Sequence, residues 1–338
     1  MKLLFGNNTI SRTVNKILNK DKIKKVVFFT GAAISTAPPA SLPLGSELSS
    51  TLMRCIFPET EIRLLSNFIV RPEILFEATS ETIGNQVYNL FAIFDVINPT
   101  ENHLVISSFG SPILTTNFDN LHEHAFEALG FQLVSETHLV RIYKSHTGRE
   151  VEILKLHGSF DSPVSIVAFL SKIYEGVTDE LINLCNSVIN DKILIILGYS
   201  CRDADIFELL SQAKPAELIW VDISFEDLPN SFRKQLAQKH KLYKINCDIN
   251  VFCQYLKQTY LINYTNCPLL ETTKNWKIKI AYFYGSLTQL ERDCIRARIF
   301  YHIGLSDHAV QIFKSFINTR KQLSGMPFTE QDYRKLGK

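Results

Sequence analysis

Several short stretches carry groups suited to chemistry. Gly31-Ala32-Ala33-Ile34-Ser35 follows an apolar, β-rich run. Its glycine permits close backbone approach, its alanines keep the turn slim, and free N–H groups with the Ser35 hydroxyl can face an anion such as a phosphate. The same residues also suit a strand-to-helix turn kept small for packing. Thr115-Thr116-Asn117-Phe118-Asp119 places polar groups at the end of a second apolar run, where ligands bind in open α/β sheets, although Asn117 or Asp119 could instead cap the following helix. His157-Gly158-Ser159 ends a third run. A histidine there points into a crevice and titrates near neutrality, which makes it a general-base candidate, the plainer role being a hydrogen-bonded turn. Gly198-Tyr199-Ser200 follows the most apolar run of all; Gly198 again allows backbone approach and Ser200 can bond a phosphate or ribose, while Asp203 and Asp205 read as caps of the next helix. Val221-Asp222 ends a further run in an acid, a place where carboxylates commonly hold ribose hydroxyls.

The elements that position these groups follow from periodicity. Continuous apolar runs at Lys25–Phe29, Pro112–Thr115, Val151–Leu156, Lys192–Leu197, Glu217–Val221 and Lys241–Ile245 predict buried, mostly parallel strands. A ribbon around Thr137–Glu152, turning at Thr147-Gly148, leads into the third of them. Thr9–Lys20 predicts a short packing helix, and Pro38-Pro39-Ala40-Ser41-Leu42-Pro43 a loop, since its prolines break both helix and ladder. From Gly45 to Phe109 apolar residues recur at helical spacing, which predicts a small helical subdomain inserted between the first two core strands. Its last helix opens at Pro99-Thr100-Glu101-Asn102-His103, with Thr100 as cap and His103 in a packing role. His122 and His124 are two apart and do not share a helix face, so they form no metal pair. Helices from about Val167 to Asn190 precede the fourth strand, and Ile249–Leu256 predicts the closing helix. After about Leu261 only helical periods remain, at Trp276–Tyr284, Leu290–Ile303 and Ser306–Phe316.

Composition bounds the function classes. The chain has 338 residues, 46% hydrophobic and 21% charged, with a formal net charge of +2. That is enough for a sizeable core without staples, and it gives no global basic field for nucleic acid. The seven cysteines are scattered with no Cys-x-x-Cys pair, which argues for reduced thiols rather than disulfides or a zinc ribbon. Neither the short Met1–Phe5 run nor Ile193–Leu197 approaches the roughly 18 residues that a spanning helix needs. The expected location is the cytoplasm, with no membrane partner and nucleic acid only through another protein.

Taken in order, Gly31 to Ser35, Pro99 to His103, Thr115 to Asp119, His157-Gly158, Gly198 to Ser200 and Val221-Asp222 resemble the NAD-binding core of the sirtuin superfamily, over about Lys24 to Leu256. Within it the chain looks most like bacterial sirtuin-like domains of antiphage defence, which show Thr-Thr-Asn-aromatic-Asp and Gly-Tyr-Ser-x-x-Asp-x-Asp-Ile, here Thr115–Asp119 and Gly198–Ile206. The resemblance implies an α/β, Rossmann-like fold with the helical insertion, a sirtuin-like domain over residues 1–258 (insertion about 45–109), and a helical region over 259–338. It implies NAD+ as substrate and no metal. Gly31, Ala32 and Ser35 would meet the dinucleotide phosphates, Gly198 and Ser200 phosphate or ribose, and Asp222 the adenosine ribose. Thr116 belongs to the same cofactor-binding set. Asn117 and Asp119 would hold the nicotinamide and its ribose, with His157 as base. The implied reaction is hydrolysis of the nicotinamide–ribose bond; the alternatives are a non-catalytic NAD or ADP-ribose sensor, or a sirtuin-type deacylase. Three departures matter. Ala33 stands where the superfamily usually has glycine, the paired Cys-x-x-Cys zinc module is absent, and the Pro38–Pro43 segment replaces an arginine-bearing loop.

The run from Ala297 to Phe313 resembles one tetratricopeptide hairpin turning at Gly304. A single hairpin cannot bury its own face, so it should pack on the first domain, a second subunit or further repeats. The expected partners are accordingly a second copy of the chain, through the helical region, and an activating protein or phage trigger.

Overall fold

The computed structural model describes residues 22–201, 203–223, 230–264 and 276–324. The helix expected over Thr9–Lys20 and the tail after Ser324 lie outside them. Eight strands form one sheet: β1 (Val26–Thr30), β2 (Ile113–Thr115), β3 (Gln132–Glu136), β4 (Val140–Lys144), β5 (Glu150–Lys155), β6 (Ile193–Leu197), β7 (Glu217–Val221) and β8 (Leu242–Ile245). Their order is β3-β4-β5-β2-β1-β6-β7-β8. The six strands from β5 to β8 in that order are parallel to their neighbours, and β3 and β4 extend one side antiparallel. The fold is α/β and Rossmann-like, followed by C-terminal helices.

β1, β6 and β7 are buried along their whole length, as strands covered on both faces must be. Alternate residues of β1 serve opposite faces. Val26 and Phe28 join a core with Val105, Ile106, Phe252 and Leu256, whereas Val27 and Phe29 join one with Cys185, Ile189, Ile206 and Leu209. The helices Glu101–Ser108 and Ile249–Thr259 thus cover one face, and Asp179–Ile189 and Ala204–Gln212 the other.

Register decides where the functional groups end up. Thr30 pairs with Thr115 on one side and Leu197 on the other, Thr115 with Lys155, and Leu197 with Val221. The carboxyl ends of five strands therefore form one row. β1 lies between β2 and β6, so the strand order reverses there, which is where open α/β sheets form a ligand crevice.

The expected ribbon is present as β4 and β5, turning at Gly148 in the left-handed region (φ 84°). β3 was not expected. All five of its residues are exposed, so no alternation announces it, and a bulge between Leu133 and Ser135 interrupts its pairing with β4.

The described residues fall into two compact units. The sheet unit comprises 22–42, 96–166 and 176–264; the helix Glu101–Ser108 belongs to it, not to the inserted helices. The helical unit comprises 43–95, 167–175 and 276–324. In it the C-terminal helices Trp276–Ser286 and Gln289–His302 pack on the inserted helices Gly45–Ile56 and Pro72–Ile83. Phe300 meets Phe57 edge-on with ring centroids 5.5 Å apart, the Tyr284 hydroxyl lies 3.0 Å from Thr79 Oγ1, and Arg296 pairs with Glu61. The C-terminal hairpin buries its face there. Among the described residues no helix is long and apolar enough to cross a membrane.

Candidate active site

The two glycine turns at the ends of β1 and β6 brace each other. Gly31 N–H donates to Leu197 O at 3.0 Å and Ala33 N–H to Gly198 O at 3.2 Å, while Ile34 N–H turns back to Gly31 O. These donors, expected to face an anion, are taken by protein carbonyls. A Cβ on Gly31 would lie 2.7 Å from Gly198 O and 2.8 Å from Tyr199 Cα, so glycine is required by the meeting of two backbones. Gly198 has φ 65°, and a Cβ there would come within 3.0 Å of Ala33 Cβ. The bare α-carbon of Gly198 thus makes room for the Ala33 methyl. Of these turns, Ala32 and Ser200 are exposed.

The same 3₁₀ turn delivers Ser35 into the interior, where it is 1% exposed. Ser35 Oγ donates to Asp119 Oδ2 at 2.9 Å and accepts from Asn117 Nδ2 at 3.1 Å. The expected residues Ser35, Asn117 and Asp119 are therefore in direct contact. Asp119 has two roles, since its Oδ1 also accepts from the Leu121 N–H, the first of the helix Leu121–Ala128 whose cap position is Asn120, whereas the Asn117 side chain turns to the site. Burial pushes the Asp119 carboxyl above its ordinary range, against the pull of Lys155.

Two histidines complete the interior side. His103 Nε2 is 3.4 Å from Ser35 Oγ and its Nδ1 is 2.7 Å from Thr100 Oγ1, which reaches Ile34 O at 3.2 Å. His122 Nε2 is 2.9 Å from Thr30 Oγ1, and the two rings meet edge to face with centroids 4.7 Å apart. Burial holds His103 down to about 3 and His122 well below its ordinary value, so both rings are neutral. Thr100 caps its helix as expected, through the His103 N–H.

A buried ionic network supports this layer. The Lys155 ammonium donates to the Asp119 carbonyl and faces Glu123 Oε1 at 3.5 Å. Glu123 also accepts from Arg141 Nη1 at 2.8 Å, and Arg141 forks onto Asp161 at 2.8 and 2.9 Å. Asn120 joins Arg141, Asp161 and Ser159. The loops after β2 and β5 are laced together by these bonds and by Phe160 N–H to Phe118 O at 3.0 Å.

His157 stands at the end of β5 and pairs with Asp205, Nε2 to Oδ2 at 3.1 Å, each side chain at least nine-tenths buried. Burial opposes the Asp205 charge, but the His157 bond and charge, together with nearby backbone N–H groups, hold the carboxyl below its ordinary range. Asp205 lies in the first turn of its helix, with its Oδ2 on His157. Gly158, with φ 79°, allows the turn: a Cβ there would fall 2.1 Å from Ser165 O. Thr116 follows β2 and Asp222 follows β7, both half-buried on the row of strand ends.

Thr100, His103, His122, Glu123, Arg141 and Lys155 were not singled out for the site, because the bonds that tie them into it span 18 to 92 residues. The available signal was charge in unusual places. Lys155 interrupts the apolar run Ile153–Leu156, and Arg141 stands beside it in the ribbon. A lysine inside a buried strand requires a carboxylate partner.

Searched against curated proteins, the chain finds no match. Residues 111–219, which span β2 to β7 and carry Asn117, Asp119, His157 and Asp205, match the family model described as SIR2-like domain, and this similarity supports a place in the sirtuin-like superfamily and a function related to NAD.

Proposed function

We propose that this chain hydrolyses NAD+ at the nicotinamide–ribose bond. The observation that carries the reading is the convergence of Ser35, Asn117 and Asp119 at the ends of β1 and β2, with a histidine–carboxylate pair at the end of β5. In this reading Asn117 and Asp119 hold the nicotinamide and its ribose. His157, oriented by Asp205, takes a proton from a ribose hydroxyl or from water. The glycosidic bond breaks through an oxocarbenium-like state that a fixed carboxylate stabilises, giving nicotinamide and ADP-ribose or a cyclised product. Ala32 and Ser200, the outward groups of the two turns, meet the phosphates, while Gly31 and Gly198 fix the shape of that surface. Asp222 meets the adenosine ribose.

Unregulated loss of NAD+ would harm the host cell, so the activity is held off until an oligomer forms or a partner binds, as suits a role in antiphage defence. The reading as a non-catalytic sensor draws on Ala33 and the Pro38–Pro43 loop; against it stands the presence of both Asn117 and His157, which binding alone does not require. The test is chromatographic detection of nicotinamide released from NAD+ by the purified chain, beside Asn117→Ala and His157→Ala, over a range of protein concentrations. Release that both substitutions abolish supports the reading. Binding of NAD+ without release at any concentration leaves either an enzyme awaiting its partner or a sensor, and absence of binding overturns both.

A further inference from the structure

His103 is fully buried, touches the site through Ser35, and has no part in the chemistry above. Both its ring nitrogens face hydroxyls, Nδ1 toward Thr100 and Nε2 toward Ser35. A neutral imidazole carries one proton, so one hydroxyl must donate to the ring and the other must accept from it. Each hydroxyl has a second acceptor within reach: Ile34 O for Thr100 at 3.2 Å and Asp119 Oδ2 for Ser35 at 2.9 Å.

Counting protons leaves two arrangements that satisfy the chain. With Asp119 ionised, Ser35 donates to it and accepts from His103 Nε2–H, and Thr100 donates to the bare Nδ1. With Asp119 protonated, the carboxyl donates to Ser35, Ser35 donates to Nε2, Nδ1–H donates to Thr100, and Thr100 donates to Ile34 O. Ser35, His103 and Thr100 carry one proton each in both. The single proton gained or lost belongs to Asp119 and comes from solvent or a ligand. Any mixed arrangement sets two lone pairs or two protons head to head inside the protein, which burial penalises.

The geometry points to a coupled pair in which the tautomer of His103 follows the proton on Asp119, with the Ser35 hydroxyl as the reversible link. His103 is thus a positioning residue. It lets Asp119 turn from acceptor to donor without stranding a buried polar group. The surroundings pull both ways: burial and Glu123 favour the acid, whereas Lys155, the Leu121 N–H and the Ser35 hydroxyl favour the carboxylate. His103 itself packs edge to face on the His122 ring, and burial together with the Lys155 charge keeps it from taking a second proton.

The inference deepens the reading of Asp119 as a ligand-holding group, but its test does not depend on catalysis. In histidine-selective ¹⁵N-labelled protein, two-bond ¹H–¹⁵N spectra distinguish Nδ1–H from Nε2–H. His103 should pass from Nε2–H in alkaline solution to Nδ1–H in acid at one midpoint while staying neutral. In Ser35→Ala or Asp119→Asn its tautomer should no longer change with pH. A doubly protonated ring, a constant tautomer in the unsubstituted chain, or a change that survives both substitutions would overturn the proposal. The unsubstituted chain decides alone if the variants do not fold. These outcomes are read on the ring, so they stand whether or not nicotinamide is released.

Discussion

Glu123→Gln removes the carboxylate that pairs directly with both Arg141 and Lys155 inside the sheet unit. The Glu123 side chain is 3% exposed and lies between Arg141 Nη1 at 2.8 Å and Lys155 Nζ at 3.5 Å. Arg141 keeps Glu136 and Asp161, both open to water, whereas Lys155 at 2% exposure keeps, among the described residues, only the Asp119 carbonyl as a direct partner, with the raised Asp119 carboxyl as the remaining acid in reach of its charge. An ion pair at this separation is worth about 5 kcal/mol gross at an effective dielectric of ~20. Removing one partner of a buried pair costs about 3–5 kcal/mol, and the Gln carbonyl retains a bond to Arg141, so the lower end, about 3 kcal/mol, is expected. Urea unfolding followed by Trp220 fluorescence in a Trp276→Phe background reads the sheet unit, since Trp220 is buried in β7 and Trp276 lies in the helical unit. Glu123→Gln combined with Lys155→Met should recover about half of the loss, because no unpaired charge then remains inside. A single-variant loss below about 1 kcal/mol, or a double variant no better than the single one, would refute the reasoning, because Lys155 must then find water or another anion.

Other expectations follow from the same geometry. Gly31→Ala should cost about 2–3 kcal/mol in thermal unfolding, because the new Cβ meets the backbone of Gly198 and Tyr199 and neither can step aside. Asp205→Asn should lower the rate of nicotinamide release by about 100-fold with little change in KM, because the histidine loses its orienting charge; an unchanged rate would mean that His157 does not act as base. The same variant gives a pH test of stability. The Asp205 carboxyl titrates below its ordinary value of 3.8 in the folded chain, so its contribution is complete above 3.8 and lost as pH falls through the lower folded value. The stability gap between the unsubstituted chain and Asp205→Asn should therefore narrow in strong acid, and a gap constant with pH would count against the ion pair.

The parts of the fold that were legible in the sequence are those fixed by local pattern. β1, β6 and β7 are runs of apolar residues because both their faces are covered, and each is followed at once by a small or polar residue, Gly31, Gly198 and Asp222. β3 was illegible for the opposite reason, as no residue in Gln132–Glu136 is buried. The site was legible in its motifs and not in its connections. Asn117 and Asp119 stood out, but nothing local says that Asp119 would bond Ser35 from 84 residues away or that Lys155 would reach back 36 residues to its carbonyl. Asp205 read as a helix cap because its position relative to the helix start fits one; its bond to His157, 48 residues away, depends on the parallel crossover that brings β6 to the other side of β1.

The helical unit is assembled from stretches far apart in the chain, and this bears on how the protein is made. Its first part ends at residue 95 and the partner helix begins at Trp276, with 180 residues between them. At roughly 5–20 residues per second, a ribosome takes about 10 to 40 seconds to cross it. Through that interval Phe57, Glu61 and Thr79 have emerged, while Phe300, Arg296 and Tyr284 have not yet been polymerised. The inserted helices must wait, with apolar faces uncovered, for the carboxyl-terminal ones. A nascent chain halted before residue 276 should accordingly recruit chaperones, and its cleavage by added protease should concentrate in residues 43–95 until the last helices are released.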